Sequence, residues 1–172
     1  LIERKDQGVV VAPADRPQHL VDERQEPGIP GAREQPFMDL GSEQGELSLP
    51  EIQHIGILVS RANGCPYCTA AFCTILNYGL GTGEAYVRQL ASDGVEVVDD
   101  QRLRTLLDFA LKVNADAKSI TDADVDGLRA CGLTDKGVVQ LVHLVGDFAS
   151  YNRLNLALDT DYDYREVWRT PG

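Results

Sequence analysis

From Ser48 onward the chain is punctuated helix by helix, and no segment alternates as a strand would. Ser48 and Glu51 form the S-x-x-E pattern of a capping box, whose side chains satisfy the orphan donors of a first helical turn. Ile52, Ile55, Leu58, Val59 and Ala62 follow at helical spacing. Asn63-Gly64 then breaks the helix, glycine suiting the left-handed closing residue, and Pro66 opens the next one with Cys65 as its N-cap. Gly79 and Gly81 end that helix, and a short one follows around Glu84 to Ser92. In DDQRLRTLLDFALKVN, Leu103, Leu106, Leu107, Ala110 and Leu111 line one face, with Asp99 or Asp100 as cap. Thr121 and Asp124 start another short helix, which Gly132 ends after Cys131. The last helix runs from about Thr134 to Leu158. Val138, Val139, Leu141, Val142, Val145, Phe148 and Ala149 surround much of its circumference, which predicts that it is central. The expected fold class is all-α.

Composition changes near residue 46. Five of the eight prolines (Pro13, Pro17, Pro27, Pro30 and Pro36) precede it, among mixed charges and glycines without helical period. Residues 1–46 therefore read as an extended arm, residues 47–160 as the helical domain, and residues 161–172 as a tail. The formal net charge of −11 argues against nucleic acid and anionic membrane surfaces, both of which need clustered Lys and Arg. No run approaches the roughly 18 apolar residues of a membrane span. The opening LIERKDQ is charged rather than apolar like a signal peptide.

The chemistry-bearing stretch is NGCPYCTAAFC, Asn63 to Cys73. With Cys65 at the N-cap and Cys68 in the first turn, both sulfurs sit at the positive end of a helix dipole, which favours thiolate. The spacing also permits a disulfide once one sulfur has been oxidised to a sulfenic acid. CPYC occurs in glutaredoxins as well, but that fold requires a strand before the motif, and here a capped helix precedes it. A zinc site would need four ligands, and Cys73 and Cys131 lie at unsuitable spacing for a second pair. Cys131, in step with Val125 and Leu128, reads as a small buried hydrophobe. No cofactor and no metal are expected. Four clustered cysteines suit a reducing compartment, with the cytoplasm as default.

The segments ILVSRANGCPYCTAAFC and RLRTLLDFALKVNADAKSITDADVDGLRACGLTDKGVVQLVHLVGDFASYNRLNLAL resemble the carboxymuconolactone decarboxylase and alkyl hydroperoxidase D (AhpD) superfamily, most closely its peroxidase-related branch. The resemblance covers about residues 47 to 160, in both order and spacing. It implies an AhpD-like helical bundle that forms symmetric homo-oligomers, with the extended Pro-rich N-terminal arm outside the match. It also implies reduction of hydroperoxides with electrons from a thiol donor. By position, Cys68 would be the attacking thiol and Cys65 its resolver.

The resemblance fails at the proton relay. The family's histidine falls on Phe72 and its glutamate on Gln53. At about 100° per residue Phe72 belongs to the dithiol face, while Cys73 points elsewhere and does not replace the histidine. His54 and Glu51 flank Gln53 but face away from it, and Glu51 has its capping role. His143 is a further auxiliary candidate, with a plain hydrogen-bonded role inside the bundle as the alternative. General-base assistance is typically worth about 10²–10⁴-fold, so its absence weighs on any catalytic reading. Two functions stay open: a peroxidase-like thiol–disulfide enzyme of weak or unusual mechanism, and an accessory subunit whose arm binds a partner protein. Ring-acid decarboxylation, the superfamily's other activity, has no distinct signature here.

Overall fold

The computed structural model describes residues 45–161, and the expected arm, save its last two residues, lies outside them. Six α-helices make up the described chain: α1 (Leu49–Ala62), α2 (Pro66–Thr74), α3 (Glu84–Asp93), α4 (Gln101–Asp116), α5 (Asp122–Ala130) and α6 (Asp135–Ala157). No strand occurs among the described residues. A π-helical turn, Ile75–Gly79, prolongs α2, and short 3₁₀ turns at Gly94–Val97 and Ala117–Ser119 follow α3 and α4.

The expected caps form. Ser48 and Glu51 close the capping box of α1, Asp100 accepts from Leu103 N at 2.7 Å, and Thr121 with Asp124 caps α5. The Asn63-Gly64 break is a Schellman motif: Gly64 N donates to Arg61 O and Cys65 N to Ser60 O, with Gly64 left-handed at φ +68°.

The expected centre of the bundle is corrected. Every residue of α1 from Ile52 to Ser60 is buried, and α2, α4 and α6 all pack on this helix. Helix α6 buries one face instead, through Leu141, Leu144, Val145, Phe148 and Ala149. Val139 (67% exposed) and Val142 (43%) of α6 face outward. Two of the polar residues that α1 buries find partners on other helices: Ser60 accepts from Asn152 Nδ2 at 3.0 Å, and His54 bonds Tyr86. Leu106 and Leu107 of α4, Leu128 of α5, and Val87 and Leu90 of α3 complete the core.

Candidate active site: a buried dithiol between helix starts

Cys65 belongs to two helices at once. Its backbone N–H closes the Schellman motif of α1, while its sulfur caps α2 by accepting from Cys68 N at 3.4 Å. Its carbonyl accepts from Thr69 N at 3.1 Å and Thr69 Oγ1 at 2.8 Å. The residue is therefore clamped from both sides, with Pro66 fixing the first helical φ. Cys65 and Cys68 are both buried free thiols, 1% and 5% exposed.

Cys68 receives a further donor from far along the chain. Asn155 of α6 places Nδ2 3.4 Å from Cys68 Sγ while also donating to Tyr151 O at 2.9 Å. Beside it, Asn152 donates to Ser60 Oγ and accepts from Asn63 Nδ2 at 2.9 Å, and Asn63 exchanges hydrogen bonds with Asn114. This amide cluster ties the α1–α2 turn to α4 and α6. Burial pushes the Cys68 thiol up to about 11, reinforced by its Cys65 neighbour. The Asn152 and Asn155 amides pull the other way by stabilising the thiolate. A thiol held above its ordinary value is mostly protonated at pH 7, so the two amides do not offset its burial.

The relay positions hold other chemistry. The ring of Phe72 lies over Gly56 of α1 and meets Phe148 of α6 edge-on, with centroids 4.8 Å apart. Gln53, one turn earlier on α1, is 5% exposed, and its Oε1 has no hydrogen-bond partner. His54 is engaged elsewhere: Nδ1 donates to Pro50 O at 2.7 Å, which leaves Nε2 to accept from Tyr86 OH at 3.1 Å. Glu51 bonds Ser48 and pairs with Arg102 Nε at 2.8 Å. His143 is exposed on α6 rather than hydrogen-bonded within the bundle, because it shares the outward face with Val139 and Val142.

Cys73 turns into the core, where burial pushes its thiol up to about 12 despite the charge of Arg88. Cys131 is half-buried rather than a core hydrophobe. It ends α5 as the C-cap residue, and its carbonyl accepts from Arg102 Nη1 at 2.5 Å. No group of three or more His, Cys, Asp or Glu side chains able to hold a metal stands together among the described residues. Sequence reasoning missed Asn152 and Asn155 as partners of the dithiol. The one signal was their place in the Asn-Arg segment of the resemblance.

No family model matches the chain, and no curated protein does. Solved structures do. An uncharacterized peroxidase-related protein from Silicibacter sp. TM1040 superposes with a TM-score of 0.68 at 28% identity. The match covers 73% of this chain and 65% of that one. An alkylhydroperoxidase AhpD core, an uncharacterized peroxidase-related protein from Ralstonia eutropha JMP134, gives 0.67 at 28%, covering 73% and 66%. This chain has the AhpD-like all-α fold. It spans about two thirds of the length of these two AhpD-like proteins. A more distant AhpD-like structure, a protein of unknown function from Agrobacterium tumefaciens, shares the fold with a TM-score of 0.60 at 21% identity. That match covers 68% of this chain and 80% of the other. No helix among the described residues is long and apolar enough to cross a membrane.

Proposed function

We propose that this AhpD-like chain is a thiol–disulfide protein that reduces hydroperoxides at Cys68, with Cys65 as resolving thiol. The observation that carries the reading is the pairing of two free thiols at one helix start, Cys68 Sγ also receiving the Asn155 amide. In the first step the Cys68 thiolate attacks the terminal peroxide oxygen and the O–O bond breaks. Cys68 becomes a sulfenic acid, and the alkoxide leaves with a proton as the alcohol. Cys65 then displaces water from the sulfenic acid, forming the disulfide. Two equivalents of a donor thiol restore both cysteines. The donor is external, the cytoplasm is the proposed setting, and the chain assembles with copies of itself through surfaces such as the outer face of α6.

The test is stopped-flow mixing of the reduced protein with cumene hydroperoxide, with thiols counted by mass. The expected result is loss of two thiols, abolished in Cys68→Ser and halted at a single oxidised sulfur in Cys65→Ser. A rate no greater than that of a free thiol overturns the reading.

One observation favours a second reading. Phe72 fills the histidine position and is packed between Gly56 and Phe148, while Cys68 stands near 11. On that reading the chain is a non-catalytic accessory subunit that keeps the fold and binds a partner through residues 1–46. Peroxidase activity appearing only in Phe72→His would support it.

A further inference from the structure

A cleft of about 270 Å³ opens beside the dithiol, lined by Arg61, Gly64, Cys65, Pro66, Thr69 and Ala91. It reaches Cys65, whereas Cys68 is not among its lining residues and lies on the side of Asn155. Its walls are mostly apolar, and Arg61 is the only charged residue in that lining. The Arg61 guanidinium is held in place: Nη2 donates to the carbonyl of Ser92 in the last turn of α3. Nη1 lies against Gly94, where an added Cβ would approach it to 2.7 Å. Arg61 forms no ion pair with any described carboxylate, unlike Arg88, Arg102 and Arg129. A guanidinium has five N–H donors, so the Ser92 bond leaves most of them available to a ligand.

We propose that this cleft is the docking site of the electron donor, and that the donor is a small thiol bearing a carboxylate. The inference rests on the dithiol reading above and adds the point of attack and the class of reductant. The donor thiolate attacks Cys65 Sγ of the oxidised pair, the Cys65–Cys68 bond breaks, and Cys68 leaves as thiolate beside the Asn155 amide. The intermediate is a mixed disulfide between Cys65 and the donor. A second donor thiolate attacks the donor's sulfur, releasing the donor disulfide and the Cys65 thiolate, which takes up a proton. The apolar walls accommodate the donor's methylenes and Arg61 pairs with its carboxylate. A volume near 270 Å³ is enough to seat a small thiol.

The experiment oxidises the full chain with diamide, which requires no peroxidase activity. It then measures reduction by 3-mercaptopropionate, 2-mercaptoethanol and cysteamine, with rates expressed per thiolate at low ionic strength. The expected order is mercaptopropionate, mercaptoethanol, cysteamine. Steps of about threefold to fivefold are what one exposed charge pair supports. In Arg61→Gln the order collapses, in Arg61→Glu it reverses, and in Arg61→Lys it is restored. Quenching with limiting mercaptopropionate is expected to trap the adduct on Cys65. A disulfide that forms but is reduced with the same charge preference in Arg61→Gln overturns the donor site alone, as does an adduct on Cys68. Failure of diamide to produce a Cys65–Cys68 disulfide overturns the dithiol reading and the donor site together.

Discussion

Gly56 and Phe72 are packed so closely that a Cβ added to Gly56 would stand 2.7 Å from the ring. A glycine inside a helix costs roughly 0.5–1 kcal/mol relative to alanine, and here it gives the ring of a facing helix its seat. Gly56→Ala is therefore expected to destabilise the protein by about 1–3 kcal/mol despite alanine's better helix propensity. Phe72→Leu in the same chain should recover part of the loss. A double-mutant cycle by urea denaturation measures the coupling, and additive effects would show that the ring moves aside freely.

Asn155 of α6 donates its Nδ2 to Cys68 Sγ at 3.4 Å, across 87 residues of sequence. Replacing it with alanine removes a donor that favours the thiolate, so the Cys68 titration midpoint should rise further. The iodoacetamide reaction of Cys68, followed against pH by mass spectrometry, should slow severalfold near pH 8 in Asn155→Ala. An unchanged profile would mean that the amide contact does not reach the thiolate.

Arg102 joins three segments: it pairs with Glu51 at 2.8 Å, and it donates to Cys131 O at 2.5 Å and Glu46 O at 3.2 Å. Burial works against ionisation of Glu51, but the Arg102 and Ser48 donors outweigh it and hold the carboxyl below its ordinary value. That stability is present above the unfolded pKa and fades as the pH falls through the folded one. Arg102→Met should cost about 1–3 kcal/mol at pH 7, since it leaves a half-buried carboxylate and two carbonyls without their donor. The cost should shrink in thermal melts taken below pH 4.

His54 lies below its ordinary value through burial, against the upward pull of the Pro50 carbonyl and Glu51. The unfolded imidazole takes a proton near pH 6.5, while the folded one takes it only at lower pH. Unfolded chains therefore bind more protons below about pH 6.5, and stability should fall as the pH drops from there toward the folded value. Urea midpoints between pH 7 and 5.5 should decline more steeply in the wild type than in His54→Gln. Parallel declines would assign the pH response to other groups.

Helix boundaries were legible because they depend on neighbours in sequence. Ser48 and Glu51, Asn63-Gly64, Pro66 and Asp100 act within a few residues of where they stand. Burial was harder to read. Gln53, His54 and Ser60 make α1 look half-polar, yet all three are buried, with partners or neighbours that only tertiary packing supplies. Val139 and Val142 suggested a central α6 but lie on its outer face. The dithiol was legible as a motif. Its amide donor stands 87 residues further along the chain, and its cleft depends on a guanidinium held by the end of α3.

The burial of α1 bears on synthesis as well as on the finished molecule. This helix is buried around most of its circumference and precedes in the chain the helices that pack on it, α6 last of all. About a hundred residues of translation separate the end of α1 from the end of α6, roughly 5–20 s at ordinary elongation rates. Through that interval the nascent chain carries an uncovered helix and two adjacent thiols, open to the cell's chaperones and oxidants alike.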